Sequence, residues 1–150
     1  MKLMINGAVT LGTLDGANVE IFEQVGKDNI FLFGLKADEV EQLWRQGYYP
    51  LDYVNANSSL KDVLSLLTSN TLGTRFDDIY KSLLTNAFGT ADAYMTLADF
   101  DSYVKAQELV GRTYGDKYKF ADMSLTNIAK AGIFSADRAI NEYADRIWHC

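Results

Sequence analysis

The chain changes its hydrophobic rhythm part-way along. Over about its first 47 residues, short apolar runs alternate with helical stretches. "AVTLGTL" (Ala8–Leu14) carries β-branched residues between turn-formers and predicts a strand. "DGANVEIFEQVG" predicts a helix, with Asp15 as the expected cap, Glu20 in its first turn and Gly26 ending it. "NIFLFGL" (Asn29–Leu35) is an unbroken apolar run of strand length, as in strands buried on both faces. "KADEVEQLWRQG" places Val40, Leu43 and Trp44 on one helical face and stops at Gly47. Strand, helix, strand, helix is the order of a parallel α/β unit. Two strands are too few for a stable doubly wound sheet, so residues 1–47 are expected to be the end of a larger one.

From about Ser58 the period is helical. "SSLKDVLSLL" suggests a Ser cap, with Asp62 closing a weak capping box after Ser59. "RFDDIYKSLLTNAF" spaces Phe76, Ile79, Tyr80, Leu83 and Leu84 along one face. "TLADFDSYVKAQELVGRTY" starts at a Thr cap and carries Phe100, Tyr103, Val104 and Val110. "YKFADMSLTNIAKAG" offers Met123, Ile128 and Ala129, with a stop at Gly132. Ser135 caps the last helix, whose Ile140, Tyr143, Ala144, Ile147 and Trp148 form the clearest amphipathic stripe in the chain.

Composition narrows the function. At 150 residues and 48% hydrophobic, the chain holds enough apolar matter for a real core, and 23% charged residues is a globular, not a disordered, proportion. A net charge of −6 argues against a nucleic-acid surface or a polybasic membrane anchor. No run reaches the length of a membrane span, and the start lacks the features of a signal peptide. One cysteine, Cys150, allows no intrachain disulfide, which suits a reducing cytoplasm.

Candidate chemistry is sparse. His149, the only histidine, lies next to Cys150 at the end of the sequence, and both have a bland reading as solvated residues rather than as a metal ligand or nucleophile. Gly7, Gly12 and Gly16 do not make a G-x-G-x-x-G fingerprint, so a nucleotide-binding Rossmann domain is set aside. The pairs Asp77–Asp78 and Asp38–Glu39 fall at helix starts, where carboxylates complement the dipole. "QGYYPLDY" gathers three tyrosines around Pro50, either a packing corner or a platform on which a sugar stacks. Lys2 reads as a solvated residue, although a lysine amine can condense with a carbonyl cofactor such as pyridoxal phosphate.

One resemblance changes the weight of Lys2. "MKLMINGAVTLGTLDGANVEI" resembles the segment of the α-glucan phosphorylases (glycogen, starch and maltodextrin phosphorylases) that begins at their cofactor lysine. Met1, Lys2 and Asn6 match that motif, and Ile5 stands where Leu or Met is usual. "GTLDGANVE" (Gly12–Glu20) and the tail "NIAKAGIFSADRAINEYADRIW" are similar to stretches specific to the family, with "NIFLFGL", "DEV" and "ADFDSYVKAQ" in the right order between them. The resemblance covers essentially the whole chain.

It implies that Lys2 is the residue that binds pyridoxal 5'-phosphate, whose phosphate donates and accepts a proton beside substrate phosphate while α-1,4-glucan ends leave as glucose 1-phosphate. No complete catalytic set is expected here, no metal site, and no catalytic role passes to Asp15 or Asn18. The implied fold is the C-terminal portion of a GT-B (Rossmann-like) domain: residues 1–150 as one C-terminal fragment of the catalytic domain, with 1–47 the β/α end of the sheet and 48–150 the helical part. The cradle for the cofactor phosphate and the substrate-phosphate residues are expected upstream of Met1, which leaves the isolated chain inactive. The alternative is a stand-alone module for self-association or protein binding. Either way an open sheet edge and the stripe of the last helix favour a homo-oligomer.

Overall fold

The computed structural model describes residues 1–86 and 89–149; Cys150 and the end of the "LLTNAF" stretch lie outside the described residues. By contacts the chain divides into two units, Met1–Phe33 with Lys105–Cys150, and Gly34–Val104.

In the first unit, α1 (Lys2–Ile5) is a single turn whose Met4 is buried. The chain then turns at Gly7, at φ +85°, and Ser124 Oγ donates to the Gly7 carbonyl at 2.7 Å. A Cβ at Gly7 would lie 2.5 Å from that hydroxyl, so a close approach as well as the positive φ selects glycine. β1 (Leu11–Thr13) and β2 (Phe31–Phe33) pair in parallel, Leu11 opposite Phe31 and Thr13 opposite Phe33. The connection between them carries α2 (Ala17–Val25), because parallel neighbours need a crossover rather than a hairpin.

Both strands are three residues long, well short of the apolar runs that predicted them. Asp15 does not cap α2. Its carboxylate accepts from Thr13 Oγ1 instead, and Gly16, at φ +45°, occupies the cap position. Gly26 ends α2 as expected, at φ +75°.

A core of Met4, Ile21, Val25, Ile30 and Ala131 holds this unit together, with Phe22, Leu32 and Phe134 against it. The unit also takes the later part of α7 (Thr96–Gly115) and α8 (Lys117–Lys130), which Asp116 caps by accepting from the Lys119 amide. The buried face of α8 is Met123 and Asn127, one turn apart. Ile128 and Ala129, expected inside, are exposed, because Asn127 takes the inward position. Its Nδ2 donates to the carbonyls of Asn29 at 2.8 Å and Met123 at 2.9 Å, tying the helix to the residues that lead into β2. After a 3₁₀ turn (Ala131–Phe134), Ser135 caps α9 (Ala136–Tyr143) as its sequence predicts, accepting from the Arg138 amide. A π turn (Ala144–Trp148) follows.

The second unit is helical. α3 (Ala37–Gln46) ends at Gly47, at φ +93°. The tyrosine-rich stretch that follows is itself a helix, α4 (Pro50–Ala56), with proline at its first position, where a missing N–H costs nothing. α5 (Ser58–Thr68) is capped by Asn57, whose side chain accepts from Leu60 N at 3.0 Å. The serines lie inside the helix, so the expected Ser cap with Asp62 is replaced by the residue before it. α6 (Asp77–Leu84) precedes α7. Val54, Leu60, Leu64 and Leu97 form the core, with Tyr80, Leu83, Leu84 and Phe100 packed on it. Thr96 is the first helical residue of α7 rather than its cap, and the orphan amides there bond to Asp92.

Candidate functional site

Lys2 opens α1. The turn is fixed from beneath by Met4, which is 2% exposed, while Lys2 and Leu3 are exposed above it. Lys2 lines a cleft of about 540 Å³ whose walls include Thr10, Leu11, Ala17, Asn18 and Ile21. It carries the one cationic side chain among the described residues lining that cleft. The far wall explains the spacing of "GTLDGAN". Asn18 Nδ2 donates to the Thr13 carbonyl at 2.9 Å, closing the turn between β1 and α2. That amide crosses Gly12 so closely that a Cβ would lie 2.7 Å from it. Glycine at 12 therefore leaves room for the Asn18 amide to reach Thr13, and Asp15 completes the turn through Thr13.

The other sequence candidates are not among the described residues that line the Lys2 cleft. His149 is exposed, at φ +55°, with Nδ1 3.0 Å from the Asp145 carbonyl. Asp77 meets Arg75 through two hydrogen bonds of 2.6 and 2.9 Å, which hold its carboxyl below the usual carboxylate range. Asp38 and Glu39 sit in the first turn of α3, and Asp77 and Asp78 in that of α6, as their dipole role requires. Among the described residues no group of three or more His, Cys, Asp and Glu side chains is placed to hold a metal ion. No helix among them is long and apolar enough to cross a membrane.

Asn127 and Asp92 are buried polar groups that the sequence reading did not foresee. Asn127 is fully buried, and its Oδ1 has no hydrogen-bond partner among the described residues. Asp92, 2% exposed and at φ +44°, accepts from Thr96 N and Leu97 N, each at 2.8 Å, and from the Tyr48 hydroxyl at 2.6 Å. Burial, and then that hydrogen bond to the Asp92 carboxylate, push the Tyr48 phenol above its ordinary value. The only hint in the sequence is an Asp four residues before a predicted helix, too common a feature to single out.

Parallel strands joined through a helix, with further helices packed against them, define this as an α/β protein. The carbohydrate phosphorylase family model matches residues 1–150, and the chain belongs to that family. It is 45% identical to a glycogen phosphorylase of Synechocystis sp. and 43% identical to one of Haemophilus influenzae, each over 99% of this chain. The liver form of human glycogen phosphorylase is 40% identical over the same share. The chain spans 17% of the length of the first of these relatives and 18% of the other two.

Proposed function

We propose that this chain is the C-terminal part of an α-glucan phosphorylase of the GT-B fold, acting on glucan and phosphate in the cytoplasm, and that Lys2 is the residue that binds pyridoxal 5'-phosphate. The observation that carries this reading is the placement of Lys2. Its turn is anchored by Met4, and the cleft beside it has apolar walls at Leu11 and Ile21.

Those residues fit the ring end of the cofactor. A primary amine can condense with the aldehyde, and apolar side chains can face the ring. They do not match its phosphate, which calls for several N–H donors or cations, and among the described residues Lys2 is the one cationic side chain lining the cleft. Lys2 would hold the cofactor by its aldehyde, and the bound cofactor would supply a phosphate group able to donate and accept a proton. This chain's own contribution is to fix the lysine. The Met4 anchor, the Gly7 turn held by Ser124 and the Asn18 bridge keep α1 and the β1–α2 turn in place around it.

The chain should be grafted in place of the matching segment of the Synechocystis relative and assayed for glucose 1-phosphate release. Activity is expected, and its loss on Lys2→Ala; an equally active Lys2→Ala graft rules out the assigned role. The isolated 150-residue chain is expected to release no glucose 1-phosphate.

Self-association is a second expectation, favoured by one observation. Ile140, Tyr143, Ile147 and Trp148 are each more than half exposed along α9 and the π turn, a larger apolar stripe than a solvated helix needs. Light scattering on the isolated chain should give a mass above 16.8 kDa. A clean monomer counts against it.

A further inference from the structure

The stretch "QGYYPLDY" is only partly used by the core. Tyr48 is 8% exposed and Tyr49 is 68% exposed, although they are neighbours. Proline at the first position of α4 sets the direction of the helix, and Tyr49, Asp52, Tyr53 and Ala56 then fall at i, i+3, i+4 and i+7. With Leu43 and Gly47 from the end of α3 they line an open hollow of about 270 Å³. That is below the roughly 300–1,000 Å³ of sites for drug-sized ligands, a size suited to a single sugar ring.

The hollow has a rigid floor. Tyr48 is clamped by its hydroxyl on Asp92, stands edge-to-face with Trp44 at 5.5 Å, and has Tyr53 at 5.4 Å. Tyr49 lies over Gly47, where a Cβ would come within 3.3 Å of its ring, so the glycine lets the ring settle there. Above this floor Tyr49 and Asp52 are exposed, while Tyr53 is half-buried against the core. Among the described residues, neither the Asp52 carboxylate nor the Tyr49 and Tyr53 hydroxyls bond to protein.

Aromatic surface with a carboxylate and phenols at its rim matches a pyranose. The C–H face of the sugar lies against a ring, while its hydroxyls donate to the carboxylate and exchange hydrogen bonds with the phenols. An anionic ligand is disfavoured by Asp52 and by the net charge of −6. A quaternary ammonium would satisfy the rings and the carboxylate but leave both phenols unused.

We propose that this hollow binds one pyranose ring of a neutral glucan. None of its residues lines the Lys2 cleft. The choice of glucan as the sugar rests on the phosphorylase reading; the stacking site itself does not.

The test is a titration of the 150-residue chain, with ¹³C-labelled tyrosine rings, by maltoheptaose, cellohexaose and tetramethylammonium chloride. Maltoheptaose should shift the Tyr49 and Tyr53 signals saturably, with a dissociation constant of about a millimolar. Tyr49→Ala and Asp52→Ala should each weaken binding by roughly tenfold, and Tyr49→Phe by no more than about threefold. Tyr49 and Asp52 are exposed, so unchanged melting of these variants serves as the folding control. The proposal is overturned by silent tyrosines with both oligosaccharides, by Tyr53 shifts in Tyr49→Ala that saturate at the same maltoheptaose concentration as in the unsubstituted chain, or by a response to tetramethylammonium alone. Silent tyrosines beside Lys2-dependent phosphorolysis in the graft would sink the hollow and leave the phosphorylase reading standing. Shifts with either oligosaccharide beside an inactive graft would do the reverse.

Discussion

The Lys2 cleft and the Tyr48–Asp92 corner are built in opposite ways. Lys2 is an exposed side chain on a four-residue turn, and its setting is fixed almost entirely by other residues: Met4 below, the Gly7 turn beside it, Asn18 across the cleft. Asp92 and Tyr48 are buried, bonded to each other, and tied to the start of a twenty-residue helix. The first region carries the chemistry proposed for the chain, with little stability of its own. The second holds stability with no chemistry assigned to it. Stability and reactivity thus sit on different side chains, and substitutions should separate them.

The largest effect is expected at Asp92. Replacing it with alanine leaves two helix amides and a buried phenol without their acceptor, and puts a residue less tolerant of φ +44° in its place. At about 1 kcal/mol or more for each unsatisfied buried donor, the loss is about 3 kcal/mol. For a chain of this size that lowers the melting temperature by roughly 6–12 °C. Urea denaturation and a thermal melt measure it. A loss under about 1 kcal/mol would remove the corner's claim to be the rigid member of the pair.

Gly7→Ala comes next and tests the scaffold of the lysine. A Cβ there meets Ser124 Oγ at 2.5 Å and Ile128 Cδ1 at 3.3 Å, and φ +85° suits no L side chain. Strain of this kind costs about 2 kcal/mol. In the grafted enzyme it should also lower activity beyond what stability explains, since α1 would shift with the turn. Activity unchanged at full destabilisation would show that the turn does not position Lys2.

Tyr48→Phe should cost about 1 kcal/mol at neutral pH, the net worth of one hydrogen bond. It also carries a pH signature. The folded phenol titrates above the unfolded one, whose ordinary value is about 10. The Tyr48 contribution is therefore intact below about pH 10 and is lost as pH rises beyond it, because the unfolded chain gives up its proton first. The slope is about 1.4 kcal/mol per pH unit for one proton. Stability measured from pH 9 to 11.5 should fall more steeply in the unsubstituted chain than in Tyr48→Phe; parallel curves would show that the phenol titrates alike in both states.

What the sequence made legible follows from which signals are local. The α/β order, Gly26 and Gly47 as helix ends and the Ser135 cap were readable because each depends on a few adjacent residues. Asn127 was not, because a helical period counts Ile128 and Ala129 as apolar and cannot see that Asn29 offers a carbonyl to a buried amide. The cap of α7 was not, because Asp92 lies four residues outside the helix and acts only when the chain turns back at positive φ. The cleft shows the same limit. Spacing left Lys2 a bystander, and only the likeness of "MKLMINGAVTLGTLDGANVEI", with Met1, Lys2 and Asn6, to a family raised it. The reason for its "GTLDGAN" part, Asn18 lying across Gly12, appears only in three dimensions.

The smallest stability effect is expected at the residue with the most at stake. Lys2 is exposed, and among the described residues its amine has no ion-pair partner, so Lys2→Ala should change stability by no more than about 0.5 kcal/mol. Lysine and alanine are both good helix formers, and a single turn carries little helical energy to lose. Set beside Asp92→Ala, the two substitutions should form a crossed pair: one destabilises the chain without replacing a residue of the cleft, the other leaves the fold intact and abolishes activity in the grafted enzyme. Matched melts of the two variants, read against phosphorolysis, decide it. If Lys2→Ala melted several degrees lower, Lys2 would have a structural duty that its exposure does not reveal, and the loss of activity could no longer be assigned to its amine.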